Sequence, residues 1–538
     1  FFFTSLLTAY ELDGVKVKGY ATCLMDSFQF FHGYQFGFGL HYIDFNNIHR
    51  PRTPKFSAHL YYNIMKDNGF SLPDDEKMLY GEFKKDFIWS SATASYQIEG
   101  AWRQGGKGLS IWDKFTHTPG NILQHDTGDI ACNSYNKMED DIAALKKVKV
   151  SHYRFSVSWP RILPDGTTKY INQAGINYYK KLLDSLIAAN IQPQVTLYHW
   201  DLPQALQDVG GWENETIIER FRDYADILFE NLGPKVQLWI TFNEPFIIAI
   251  LGHVQGTHAP FSDRPDTLPY IVSHNIIKAH AEAWHVYNDK YRASQNGMVS
   301  ITVNADWAEP RNPYKQEDYD AARSVVEFYL GWYAHPIFNG DYSPLMKRSV
   351  LEQSLAGGLT KSLPEFTPEE IKRINGTYDY FGLNHYCSVL AFPVDFGEIQ
   401  HFEADDRTWL ESGSHWLTMT PFGLRRLLKF IKHEFGNPPI IITENGVSEN
   451  GPVDLNDVHR KYFYEKYINQ VLKYLLDDVN VIGYTAWSLL DNLEWAVGYT
   501  ERFGLFYINR SDPDLPRTPK ASVSFYSSII SCNGFPDP

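Results

Sequence analysis

Two glutamates each follow directly on an apolar, β-branched run: LWITFN leads into Glu244, and PIIIT into Glu444. A carboxyl at the end of such a run is costly to bury unless it is paired or put to use. Alone, either glutamate could simply cap a helix or meet an arginine. Together they suit the cleavage of a glycosidic bond, in which one carboxyl protonates the leaving oxygen and the other attacks the anomeric carbon or activates water. A separation of about 5–5.5 Å goes with a retaining double displacement. Glu444 is expected to be the nucleophile and Glu244 the acid/base. The like charge of Glu444 would raise the pKa of Glu244, and glycosylation of Glu444 would then release it to act as base.

Positioning such a pair takes strands that end at one face. Eight short runs rich in β-branched and aromatic residues have this character: 87–95, 151–159, 191–200, 236–244, 298–307, 378–386, 438–446 and 479–488. Amphipathic stretches such as GINYYKKLLDSLIAAN and NETIIERFRDYADILFENLG lie between them. Alternating strand and helix predicts a parallel sheet with crossover helices, and eight units predict an α/β fold of the (β/α)8 TIM-barrel type. No G-x-G-x-x-G follows the first strand, so a dinucleotide-binding sheet gains no support. In a barrel the chemistry sits at the C-terminal strand ends. The polar or aromatic residues expected there are Gln97, His199 with Trp200, Asn243 with Glu244, Asn384 with Tyr386, Glu444 with Asn445, and Trp487. Taken singly, His199 reads as a satisfied core histidine, Trp487 and Trp495 as core, and Arg154 as half of an internal ion pair.

The segments TFNEP (241–245) and ITENG (442–446) resemble the two signature motifs of family 1 glycoside hydrolases. SYQIEGAW (95–102), YHWDLP (198–203) and WSLLDNLEW (487–495) look like further motifs of that family, so the resemblance covers about residues 85–530. It implies a (β/α)8 barrel, a β-glycoside substrate, and no cofactor or metal. It also implies roles position by position. Glu244 matches the acid/base and Glu444 the nucleophile. Asn243 would hold the sugar 2-hydroxyl. Gln97, His199 and Glu494 would hydrogen-bond the remaining hydroxyls, with Trp495 assisting and Trp487 forming a floor under the ring. Tyr386 would position Glu444 with Asn384 close by, and Arg154 would pair with the nucleophile. The substrates expected are β-galactosides or β-glucosides such as lactose. Galactose and glucose differ at one hydroxyl, and Gln97 and Glu494 suit either. A non-catalytic relative that binds a glycan or receptor is the rival reading, and the presence of both glutamates opposes it. A thioglucosidase of this family would carry Gln in place of Glu244.

The chain also contains a partial repeat. Residues 13–54 (DGVKVKGYATCLMDSFQFFHGYQFGFGLHYIDF, then RPRTPK) match 477–520 (DDVNVIGYTAWSLLDNLEWAVGYTERFGLFYIN, then LPRTPK), with one residue missing in the first copy. Residues 1–75 are therefore expected to be the C-terminal remnant of a preceding glycosidase-like repeat plus linker, and 76–538 the catalytic domain. The polar stretch 71–85 reads as linker. In the first copy Gln29 and Phe30 replace Glu494 and Trp495, and Cys23 stands opposite Trp487, so its sugar site is altered.

A net charge of −15 without any long basic run excludes a nucleic-acid partner. Aromatics at 15% suit stacking on pyranose rings as well as a large core. Cys23, Cys132, Cys387 and Cys532 form no C-x-x-C pair, which leaves one bridge or four inert thiols open. Sequons at Asn214, Asn375 and Asn509 favour a secreted glycoprotein. FFFTSLLTAY has neither a basic n-region nor a cleavage site, so it is not read as a signal peptide. No apolar run reaches 18 residues, so no transmembrane segment is expected in this chain. The tandem arrangement resembles multi-repeat, membrane-anchored members of the family. For the full-length protein it implies the extracellular side of the plasma membrane at an apical brush border. A homodimer is compatible with the sequence.

Overall fold

The structure, a computed structural model, describes residues 21, 39–67, 77–261, 268–356, 363–393, 402–404 and 409–537. The chain divides into two compact units, Phe1–Met78 and Leu79–Pro538.

The larger unit is built on eight parallel strands. They are β1 (Ile88–Ala92), β2 (His152–Ser156), β3 (Gln192–Tyr198), β4 (Leu238–Asn243), β5 (Met298–Asn304), β6 (Phe381–Asn384), β7 (Ile440–Asn445) and β8 (Val481–Trp487). They close into a barrel in the order β6-β7-β8-β1-β2-β3-β4-β5. Each falls inside one of the eight expected runs. β4 and β7 are buried along their whole length, which explains why both read as unbroken apolar stretches rather than alternating ones. Leu238, Ile240, Tyr380 and Ile441 pack together with Ile88, Met298 and Ile482 in the interior, so the barrel is filled rather than open.

Helices cover the outside. Ile217–Leu232 buries Ile217, Phe221, Tyr224, Ala225, Leu228 and Leu232, a stripe at the three-to-four spacing that faces a sheet. Pro421–Phe435 starts with proline at its first position and ends at Gly436 with φ 76°, the left-handed cap glycine supplies without strain.

Of the stretch 71–85 read as linker, residues 71–76 lie outside the described residues, and the part from Leu79 departs from that reading. Residues from Leu79 onward lie within the larger unit, where Gly81–Glu82 pairs antiparallel with Gly534–Phe535 and Leu79 N–H donates to Asn469 Oδ1 at 3.0 Å. Polarity suggested a linker because edge-strand pairing uses only backbone groups and leaves no mark on composition.

Cys132 and Cys387 are buried free thiols and Cys532 is an exposed one, so no bridge joins these three. Cys23, Gln29 and Phe30 lie outside the described residues. Of the sequon asparagines, Asn375 is exposed, and Asn214 and Asn509 are half-buried. No helix among the described residues is long and apolar enough to cross a membrane.

Candidate active site

The C-terminal ends of the strands gather the expected residues at one mouth. β2 supplies Arg154, which is 1% exposed. Its Nη1 donates to Glu444 Oε1 at 2.6 Å and to the Thr443 carbonyl at 2.9 Å, and its Nη2 to Asn243 Oδ1 at 2.6 Å. The Tyr386 hydroxyl donates to the other oxygen of Glu444 at 2.7 Å. Glu444 is thus held on both oxygens by donors, one of them cationic.

Glu244 is held differently. It sits immediately past β4 with φ 47°, the left-handed region that a side-chain-bearing residue occupies only when its surroundings hold it there. Its N–H bonds the Thr302 carbonyl at 3.0 Å, and Trp200 Nε1 donates to the adjacent Asn243 carbonyl at 2.8 Å. Its carboxyl accepts from Asn384 Nδ2 at 2.7 Å. Burial, with the charge of Glu444 added, pushes its pKa up to about 8. Burial raises Glu444 too, but the Arg154 guanidinium and the Tyr386 hydroxyl work against that rise. Arg154 is in direct contact with Glu444 and not with Glu244, so the shared proton belongs on Glu244.

The donors can be oriented without ambiguity. Arg154 can only donate, so the Asn243 atom facing it is Oδ1. That leaves Asn243 Nδ2 to face His199 Nε2 at 3.1 Å, so Nε2 accepts and Nδ1 carries the hydrogen. Burial, helped by the Arg154 charge, pushes the His199 pKa well down and keeps the ring neutral. Among the described residues, His199 Nδ1 has no protein partner, and neither does Gln97 Oε1. One buried donor and one buried acceptor are therefore available to a polar ligand. Gln97 Nε2 is occupied by Asn492 Oδ1 at 3.1 Å and the Leu493 carbonyl at 2.9 Å, and it lies 3.5 Å from Glu494. Burial lifts Glu494 well above the usual carboxyl range, and Glu501, Glu444 and Glu244 add to the rise. The His199 ring lies nearly parallel to Trp487 at 5.8 Å and to Trp495 at 5.9 Å. Trp495 also meets Trp112 and Trp200 at 4.6 and 4.5 Å.

All the expected site residues thus lie in one connected constellation. Sequence reasoning missed Thr443, which donates to Asn384 Oδ1 at 2.7 Å, and Asn492, which seats Gln97. Both stand inside motifs already singled out, ITENG and WSLLDNLEW. Their partners are far away in sequence, Asn384 on the neighbouring strand β6 and Gln97 on the short helix Ser95–Ile98, so nothing local in the motifs marks them. Asn384 lies close by, as expected, opposite Glu444 in the pairing of β6 with β7, and it also donates to Glu244.

The chain is similar to several known proteins. The family described as Glycosyl hydrolase family 1 matches residues 2–70 and 79–535. Human lactase/phlorizin hydrolase is 59% identical over 99% of this chain, which spans 28% of that relative's length. Human cytosolic beta-glucosidase is 43% identical over 84% of the chain and 98% of its own. A rice beta-glucosidase mutant, solved in a covalent complex with Glc, superposes with a TM-score of 0.79 at 36% identity, covering 84% of this chain and 99% of that one. The chain belongs to glycosyl hydrolase family 1 and is a glycoside hydrolase.

Proposed function

We propose that the larger unit is a retaining β-glycosidase acting on β-galactosides and β-glucosides such as lactose, with Glu444 as nucleophile and Glu244 as acid/base. The observation that carries the reading is the unequal treatment of two carboxyls in one buried site. Glu444 is clasped by Arg154 and Tyr386, while Glu244 has a neutral amide donor and a pKa raised to about 8. One is suited to attack as an anion and the other to deliver a proton.

In the first step a Glu444 oxygen bonds the anomeric carbon as the glycosidic C–O bond breaks, and the Glu244 proton passes to the departing oxygen. In the second, water attacks the anomeric carbon, Glu244 accepts its proton, and the Glu444 carboxylate leaves. Two inversions give net retention. The sugar is held by the His199 Nδ1–H donor, the Gln97 Oε1 acceptor, Asn243 and Glu494, between Trp487 and Trp495. The covalent sugar in the rice relative supports the intermediate, and the similarity to lactase/phlorizin hydrolase supports the substrate class.

The same reading assigns residues 1–75 to the tail of a preceding repeat. It places the full-length protein on the extracellular face of a membrane, as the sequons and the tandem arrangement suggest. Both carboxyls stand in place, which disfavours a purely glycan- or receptor-binding module.

Chemical rescue tests the assignment. Glu444→Ala should abolish hydrolysis of a nitrophenyl β-galactoside or β-glucoside, and added azide should restore turnover as the glycosyl azide of inverted configuration. Retained hydrolysis without azide product would remove Glu444 from the role. Glu244→Ala should spare the first step only for good leaving groups, and an equal loss on poor ones would contradict the acid/base assignment.

A further inference from the structure

The hydrogen-bond directions at the mouth carry one step more. Arg154 fixes Asn243 Oδ1 as an acceptor, and the Asn384 atom that reaches it, at 3.0 Å, must be Nδ2. That same Nδ2 donates to Glu244 Oε1 at 2.7 Å. The other end of the amide, Asn384 Oδ1, accepts from the Thr443 hydroxyl at 2.7 Å. Thr443 in turn accepts from the Thr302 hydroxyl at 3.1 Å, which commits its own hydrogen to Asn384. All six residues are buried. The residue next to the nucleophile is therefore wired to the acid/base through a single oriented amide.

We propose that Thr443 is a positioning residue for the acid/base: by holding Asn384 in one amide orientation, it keeps an N–H aimed at Glu244 and favours the carboxylate that the second, water-activating step requires. The inference rests on the reading of Glu244 as acid/base. Donation to a carboxylate favours its charged form, and the Asn384 bond does oppose the rise of the Glu244 pKa. The site needs Glu244 protonated for the first step and ionised for the second. A purely apolar pocket would serve the first and obstruct the second. The fixed amide moderates the effect of burial.

The charged and titratable groups facing Glu244 come from several elements. Glu444 on β7 and Asp306 after β5 raise its pKa, and Arg154 on β2 lowers it. Tyr386 after β6 and Glu494 after β8 are also coupled to it electrostatically. The Thr443 hydroxyl carries no charge, so removing it leaves these fields in place and isolates the orientation of the amide.

Thr443→Val keeps the shape and removes the hydroxyl, and Thr443→Ser restores it. For the valine variant the alkaline limb of kcat/KM on a nitrophenyl β-glucoside should move up by about half a pH unit or more, because a carboxyl losing part of a donor holds its proton longer. On a dinitrophenyl glycoside, with breakdown of the intermediate limiting, the acid limb of kcat should move up as well. The serine variant should follow the parent profile. Asn384→Ala removes the donor directly and should shift the alkaline limb further, so the inference stays testable if the valine variant does not fold. Glu244→Gln serves as the reference. If the alkaline limb persists in it, the limb does not belong to Glu244 and the underlying reading fails. If the limb vanishes there but stays put in both Thr443→Val and Asn384→Ala, only the relay is overturned. Equal shifts in the serine and valine variants would also overturn it.

Discussion

Two carboxyls sharing one buried site cannot both ionise cheaply, and what each touches decides where the proton rests. Arg154 touches Glu444 and leaves Glu244 to burial. With the Glu244 pKa near 8, kcat/KM should hold up through neutral pH and fall as the acid loses its proton near pH 8. A pH profile measures this, and a fall beginning near pH 5 would contradict it. Arg154→Met removes the cation and leaves Glu444 as an uncompensated buried charge. Its cost should be about 3–5 kcal/mol of folding stability. A nucleophile that is harder to ionise should also raise the acid limb of kcat/KM, narrowing the profile from that side. Denaturant midpoints and the pH profile read the two effects separately, and an unchanged acid limb would mean that Arg154 only closes an internal pair. At this scale the two glutamates were legible because a charged residue after an apolar strand is out of place locally. The Asn384 donation to Glu244 was not, because it depends on the register in which β6 lies between β5 and β7.

Eight strands were legible because each is a short β-branched run bounded by turns, and a barrel repeats that unit. What ties the strand-end loops together was not. Lys520 is fully buried, and its Nζ donates to Glu449 Oε1 at 2.7 Å and to Asp491 Oδ1 at 2.9 Å. Glu449 lies on the loop leaving β7 and pairs backbone to backbone with Arg502. Asp491 lies on the loop leaving β8, next to the Asn492 and Leu493 that seat Gln97. In sequence Lys520 looks like any lysine beside a proline, because its two partners are 71 and 29 residues away. Lys520→Met should cost about 3–5 kcal/mol, since the buried Asp491 loses the cation that touches it, while the half-buried Glu449 keeps Arg502. The kinetic loss should fall mainly on KM, because the clamp touches the loops that hold the sugar, whereas Glu244, Glu444 and Arg154 are seated on or directly after strands. A loss confined to kcat would show that the clamp serves the chemistry instead.

The partial repeat has a structural counterpart in each unit taken by itself. His41–Ile43 pairs with Arg52–Pro54 in the register His41↔Pro54, and Phe506–Ile508 pairs with Arg517–Pro519 in the register Phe506↔Pro519. A twelve-residue helix follows each hairpin, Phe56–Asp67 and Ala521–Cys532. The matching backbone bonds Lys55 N to Leu40 O and Lys520 N to Leu505 O enter both. The short copy repeats the local shape, but every residue assigned a role in the reaction lies between 79 and 538. The larger unit also closes on itself at its start. Phe83 bonds Asn533 through its N–H at 2.7 Å and packs on Phe87, Trp89 and Tyr474, while Asn533 Oδ1 takes the Trp89 Nε1 hydrogen at 2.9 Å. Where the chain is cut should therefore matter more than how much is removed. A chain of 79–538 should keep kcat/KM within about twofold of the parent, because no reacting or sugar-holding group is lost. A chain beginning at 86 loses Phe83 and the Gly81–Glu82 pairing with Gly534–Phe535, and should be less stable by roughly 3–5 kcal/mol, the range for deleting a buried phenylalanine. Urea midpoints and kinetics on both chains decide this. A large loss of activity already at 79–538 would show that the first unit serves the site, and equal stability of the two chains would show that the closing strand contributes nothing.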